Sequence, residues 1–315
     1  MKINKFFIPV ISAAFLLSGC SMISNLIKGG GKNADTSKPT FQEKGESVTK
    51  SQFINRYSQS MENANLVFGG GHHFASFVAK FDASTTYNST QNRHDRVYSE
   101  TKETNTSSQK MEYDSESKVA AFERNVKTTD KNKYDEYTLD TKTTSKYKGG
   151  YQLGEGRVLF VNDVVKTYQI YDMDYDSYEE EYWMDRVLYG QMYSQIGLMN
   201  NYLSNDDAKY YINGEVLTLV VENTNEQSSS EYVDYRSVTN NAITIQMDFK
   251  DGTDGVSLKY ANEYTTERNY ERDSSYGSYS VGDKDEIEEK NYMTAKIEFK
   301  SVSKKAKDLS GYTKL

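Results

Sequence analysis

Two periods run along this chain. Over the stretch after Val48, the apolar positions Phe53, Tyr57, Met61 and Ala64 recur every three or four residues, which places them on one stripe of a helix. Thr49 and Gln52 have capping-box spacing, and Val48 with Phe53 can form the hydrophobic staple. An amphipathic helix is therefore predicted near 50–64. A second helix is predicted near 181–203, where Met184, Leu188, Met192, Ile196, Met199 and Leu203 share one side.

Elsewhere the period is two. Ala75, Phe77, Ala79 and Phe81 alternate with Ser76, Val78, Lys80 and Asp82. Segments near 85–105, 109–127 and 133–147 are rich in Thr, Ser, Tyr and charge and read as long, exposed antiparallel strands. Gly149 and Gly150 read as a tight turn. Three hairpins are then predicted around Asn162–Asp163, Asn213–Gly214 and Asn240–Asn241, since Asn and Gly tolerate the positive φ that two-residue turns need. Ile243, Ile245, Met247 and Phe249 fall on one face of a strand, as do Met293, Ala295, Ile297 and Phe299.

The N-terminus has another character. Lys2 and Lys5 precede an apolar stretch from Phe6 to Leu17, too short to span a bilayer that needs about 20 residues. Leu17, Ser18, Gly19 and Cys20 follow, and Cys20 is the single cysteine of the chain. This order resembles the signal peptide and lipobox of bacterial lipoproteins. The resemblance implies removal of residues 1–19, lipidation of Cys20, and residence on the extracytoplasmic face of the cell membrane. Residues 29–47 are Gly, Lys and small polar residues, expected to form part of a flexible tether over 20–47, ahead of a folded domain over 48–315.

Together these elements predict an α+β, mostly β fold: a strongly curved antiparallel sheet, or half-barrel, with helices covering its concave face. Lipobox, tether, helix, meander, mid-chain helix and closing strands resemble, in layout alone, the LolA/LolB lipoprotein-carrier superfamily. That resemblance implies a cavity for acyl chains between sheet and helices. Its lining would be Met184, Leu188, Met192, Ile196 and Met199 from the helix and Ile243, Ile245, Met247 and Phe249 from the sheet.

Composition narrows the functional classes. A formal charge of -8 argues against nucleic acid or anionic lipid headgroups as partners. Tyrosine supplies much of the apolar area, with 27 residues against 13 Phe and 1 Trp, which suits strands with one wet face.

Site chemistry is sparse. Asp172, Asp174 and Asp176 have calcium-loop spacing, but Ser177 stands where the loop needs glycine and Trp183 where it needs a bidentate glutamate. A solvated acidic loop is the better account. Gly69, Gly70 and Gly71 ahead of His72 and His73 lack the Lys and Ser/Thr of a phosphate loop, and neighbouring histidines in a strand diverge. Neither G-x-S-x-G nor H-E-x-x-H occurs. The sequence thus predicts no enzyme, no metal and no cofactor. It predicts a lipid-anchored protein that binds a hydrophobic ligand or, alternatively, a filled-core module that contacts a surface protein.

Overall fold

The structure, a computed structural model, describes residues 37–315 except 65, 67–74, 95, 155, 173–193, 231–232, 250–254 and 272–279. Strand β1 (Glu46–Val48) leads into helix α1 (Lys50–Asn63). Thr49 caps that helix: its hydroxyl accepts from the Gln52 backbone N–H, while the Gln52 side chain accepts from the Thr49 backbone N–H. The buried stripe is Phe53, Tyr57, Ser60 and Met61.

A meander of six strands follows: β2 (Phe77–Arg93), β3 (Arg96–Asp114), β4 (Val119–Tyr134), β5 (Tyr137–Gly154), β6 (Arg157–Asn162) and β7 (Thr167–Asp172). After a 3-10 helix at Gly197–Asn201, a second meander runs through β8 (Ala208–Asn213), β9 (Val216–Ser230), β10 (Val233–Asp248), β11 (Val256–Tyr270) and β12 (Lys284–Phe299). Strand β13 (Thr313–Lys314) closes the chain. Pairing of β12 with β2 fuses the meanders into one 13-stranded sheet, ordered β1-β8-β9-β10-β11-β12-β2-β3-β4-β5-β6-β7-β13. Its pairs are antiparallel except β13 with β7.

This corrects the predicted fold class. The sheet is open, with β1 and β13 at its edges, and among the described residues no set of helices covers a concave face. Helix α1 has 14 residues, about 21 Å at 1.5 Å per residue, whereas β3 has 19, about 63 Å at 3.3 Å per residue. The helix therefore covers only one end of the sheet. The reason lies in where the strands are apolar. In β2 the side chains of Phe77, Ala79 and Phe81 are buried, and from Thr85 to Arg93 none is. Past that end both faces are mostly polar, with scattered Tyr among Thr, Ser, Asn, Lys and Glu, and need little apolar cover. The LolA/LolB-like arrangement falls with the half-barrel. Most of the helix expected near 181–203, including Met184, Leu188 and Met192, lies outside the described residues.

Four turn predictions also change. Strand β5 runs straight through Gly149 and Gly150. A Cβ at Gly149 would stand 2.0 Å from the Val161 carbonyl oxygen, and one at Gly150 would stand 2.5 Å from that of Ala120, so these glycines permit close backbone approach rather than a turn. Strand β10 likewise continues through Asn240 and Asn241, which pair with Thr265 and Tyr264. The β6–β7 turn is Asp163 to Lys166, longer than the Asn162–Asp163 prediction, with Asn162 Oδ1 accepting from the backbone N–H of Val164 and Val165. The Asn213–Gly214 hairpin forms one residue later, with Gly214 at φ 59° and Asn213 paired to Val216.

Candidate functional site

Directly opposed residues on paired strands share a face, so the register sorts the sheet into two sides. One side faces α1. At its packed end, Leu219, Ile245, Tyr260, Met293 and Ala83 form one cross-strand row, and Leu217, Met247, Leu258, Ala295 and Phe81 form the next. Phe53 meets Tyr210 at 5.0 Å between ring centroids, and Tyr57 meets Phe249 edge-on at 6.5 Å.

The expected ligand-lining residues lie here. Ile243, Ile245, Met247 and Phe249 are at most 3% exposed, and Ile196 and Met199 are at 0%. They join Phe53, Tyr57, Met61 and Leu66 in one hydrophobic cluster. Six of the nine are thus brought together as parts of a packed core; Met184, Leu188 and Met192 are outside the described residues. Tyr260, at the margin of this core, has its hydroxyl pushed well above the ordinary range, first by burial and then by neighbouring Tyr202.

Farther along the same side the rows turn polar. Asn262, Asn291, Thr85, Asn105, Thr128 and Thr143 form one row; Tyr264, Glu289, Tyr87, Glu103, Asp130 and Thr141 form the next. At the far end of the β4–β5 hairpin, Tyr134, Tyr137 and Leu139 are exposed by 52%, 80% and 59%. Tyr134 and Tyr137 are directly opposed, and Leu139 is two residues along on the same side.

The opposite side is crossed by two terminal straps, which the sequence pattern did not reveal. Lys38–Glu43, assigned to the tether by composition, lies over β8 to β11. Gln42 donates its backbone N–H to Gln246 Oε1 at 2.8 Å, and Gln246 Nε2 donates to the Gln42 carbonyl and to Thr218 Oγ1. Lys259 Nζ donates to the Thr40 carbonyl, and Lys38 pairs with Glu263. Hydrogen bonds from Lys38 and then Tyr292 hold the Glu263 carboxyl below its usual range. Burial and Glu263 in turn push the Tyr292 hydroxyl up to about 12.

The C-terminal strap, residues 300–315, crosses toward β7. Asp114 accepts from the Lys304 backbone N–H and from the Ser117 hydroxyl, which together hold its carboxyl below the ordinary value. Lys304 also pairs with Glu112, while Asp163 accepts from Lys307 and Tyr312. The strap ends in the parallel pairing of Thr313 with Thr167. Period-two alternation announces strands, whereas these extended segments bind through scattered polar contacts. A buried Gln246 and Thr218 in a strand were the available signal.

The Gly69–His73 stretch and Asp174–Asp176 lie outside the described residues. Asp172, at the end of β7, accepts from Arg157 Nε at 2.8 Å.

No protein-family model and no curated protein matches the chain. Among solved structures, the translocator domain of the autotransporter NalP from Neisseria meningitidis aligns at 8% identity and a TM-score of 0.20, over 77% of this chain and 97% of that one. OccK7 (OpdD) of Pseudomonas aeruginosa aligns at 5% identity and a TM-score of 0.19, over 71% of this chain and 99% of that one. A Pseudomonas aeruginosa FadL homologue aligns at 6% identity and a TM-score of 0.16, over 71% of this chain and 90% of that one. At these TM-scores the alignments carry no argument about fold or function.

Proposed function

We propose that this chain is a non-catalytic lipoprotein, anchored through Cys20 on the extracytoplasmic side of a membrane, whose long sheet presents a contact face to another surface protein. The observation that carries this reading is the fate of the expected lining residues. Ile196, Met199, Ile245 and Met247 are at 0% exposure in one core cluster with residues of α1, while the strands continue past that core with solvated faces. Such a filled core favours an interaction module over an acyl-chain carrier. Within the face, Tyr134, Tyr137 and Leu139 are the contact group, because tyrosine offers large area at little conformational cost.

In-cell photo-crosslinking tests the proposal. A photo-reactive residue at Tyr137 should give a discrete protein adduct, and the same probe at Thr104, on the opposite side of the sheet, should not. With the probe kept at Tyr137, Tyr134→Ala with Leu139→Ala should weaken the adduct without lowering thermal stability. No adduct from Tyr137, or equal adducts from both positions, would count against it. The anchor is tested separately: Cys20→Ala should move the protein from the membrane to the soluble fraction.

A further inference from the structure

The net charge of the chain conceals a division of charge on the strap-bearing side. Where β3, β4 and β5 extend past the C-terminal strap, that side carries Lys102, Lys127, Lys131, Lys133 and Lys142 against Glu100 and Asp140. All five lysines are exposed. The helix-facing side of the same stretch, residues 99–107, 126–134 and 137–145, carries no lysine or arginine, only Glu103 and Asp130. Lys102 and Lys131 are directly opposed, a like-charge pair that costs stability in an isolated sheet. On the other half of the strap-bearing side the sign inverts. Strands β9 to β12 carry Glu222, Glu226, Asp248, Glu263, Glu267, Glu286, Glu288 and Glu298 against Arg236, Lys259, Lys284, Lys290 and Lys296, with Glu267 directly opposite Glu286.

We propose that the lysine-bearing half, on β3 to β5, docks on the anionic headgroups of the bilayer that holds the Cys20 anchor, and that the twist accumulated over the intervening strands turns the glutamate-bearing half away from it. The anchored geometry rests on the lipoprotein reading; the charge division stands without it.

The exit of the N-terminal strap argues for a bilayer as the occupant. Lys38 sits on this same side, paired with Glu263 of β11. Between Cys20 and Lys38 lie residues 21–37, a segment of 17. Fully extended, 17 residues reach about 60 Å. From β11 to β4 is four strand spacings, about 19 Å. The tether can therefore lay the lysine half on the membrane. Lysines near an anionic surface are each attracted within about one Debye length, while the glutamates are repelled, so one bilayer both draws and orients this sheet. Docking this way leaves Tyr134, Tyr137 and Leu139, on the other side, facing outward.

Vesicle co-sedimentation tests the proposal with the chain beginning at Ser21, which retains every described residue and lacks the lipid. It should bind phosphatidylcholine vesicles carrying about 30 mol % phosphatidylglycerol and not pure phosphatidylcholine, and about 0.5 M NaCl should release it. The triple variant Lys102→Glu, Lys131→Glu, Lys133→Glu should partition at least about tenfold more weakly. Glu267→Gln with Glu286→Gln should bind as well or better. The substituted side chains are exposed, and an unchanged thermal melt confirms folding of each variant. Equal binding to the two vesicle types, or undiminished binding by the triple variant, overturns the proposal. So does binding to soluble polyphosphate with none to anionic vesicles, which would assign the lysines to an anionic polymer. Finding Cys20 without lipid in cells would remove the anchor and leave the vesicle result to stand or fall by itself.

Discussion

Replacing Gln246 with leucine separates the account of the N-terminal strap from one in which residues 38–43 merely lie near the sheet. Gln246 is 2% exposed, and its amide bonds the Gln42 backbone at both N–H and carbonyl and the hydroxyl of Thr218, which is at 0%. Leucine nearly preserves volume and removes all three bonds. Each is worth about 1 kcal/mol net, and the Thr218 hydroxyl left unpaired costs about 1–3 kcal/mol. Gln42 is exposed and can recover water, which offsets part of the loss. The expected destabilisation is about 2–4 kcal/mol. Urea denaturation should show it as a lower midpoint at unchanged m, and trypsin should cut faster at Lys44. Adding Thr218→Val removes the orphaned hydroxyl and should return about 1 kcal/mol, so the pair is coupled. A change under about 0.5 kcal/mol for Gln246→Leu, with unaltered cleavage, would refute the reasoning.

Other consequences follow from the same contacts. Phe249→Ala should cost about 3–5 kcal/mol in urea denaturation, because the ring is 1% exposed and packs edge-on to Tyr57. Gly255→Ala should fail to fold to the native thermal melt, since its φ is 128° and a Cβ would stand 1.8 Å from the Ile297 carbonyl oxygen. The C-terminal strap should loosen in acid. Asp114 has its carboxyl depressed by the Lys304 N–H and Ser117, so its contribution is present above the unfolded carboxylate value of about 4 and disappears as pH falls through the lower folded value. An acid-active protease should therefore release residues 300–315 faster near about pH 3 than near about pH 5, and Asp114→Asn should flatten that difference.

What could be read from the chain depended on whether a side chain's surroundings are set locally. The α1 cap is local, and Thr49 with Gln52 specifies it within one turn. The one-sided burial of Ile243, Ile245 and Met247 is nearly local, because a strand with one packed face must alternate. Gly149 and Gly150 were not legible, since a glycine that opens a turn and one that admits a neighbouring carbonyl look the same in sequence. The polar stretches of β3 to β5 gave no end signals, because Thr and Lys suit a solvated strand anywhere along its length. The candidate site was least legible. Ile243, Ile245, Met247 and Phe249 read as apolar and one-sided, but a lining and a core share that pattern until the opposing layer is seen.

The same gap hid the lysine face. Lys131 and Lys133 are two apart in β4, and their convergence with Lys102 depends on the β3–β4 register. Total charge averages this against the glutamates of β9 to β12, so the exclusion of anionic lipid from composition does not extend to each face.

Native mass spectrometry of the chain from Ser21, purified without detergent and followed by lipid extraction, tests the filled core most directly. The account predicts the mass of the polypeptide alone and no uptake of a fluorescent fatty acid. A stoichiometric co-purified lipid would contradict it and return Ile245, Met247 and Met199 to the wall of a cavity.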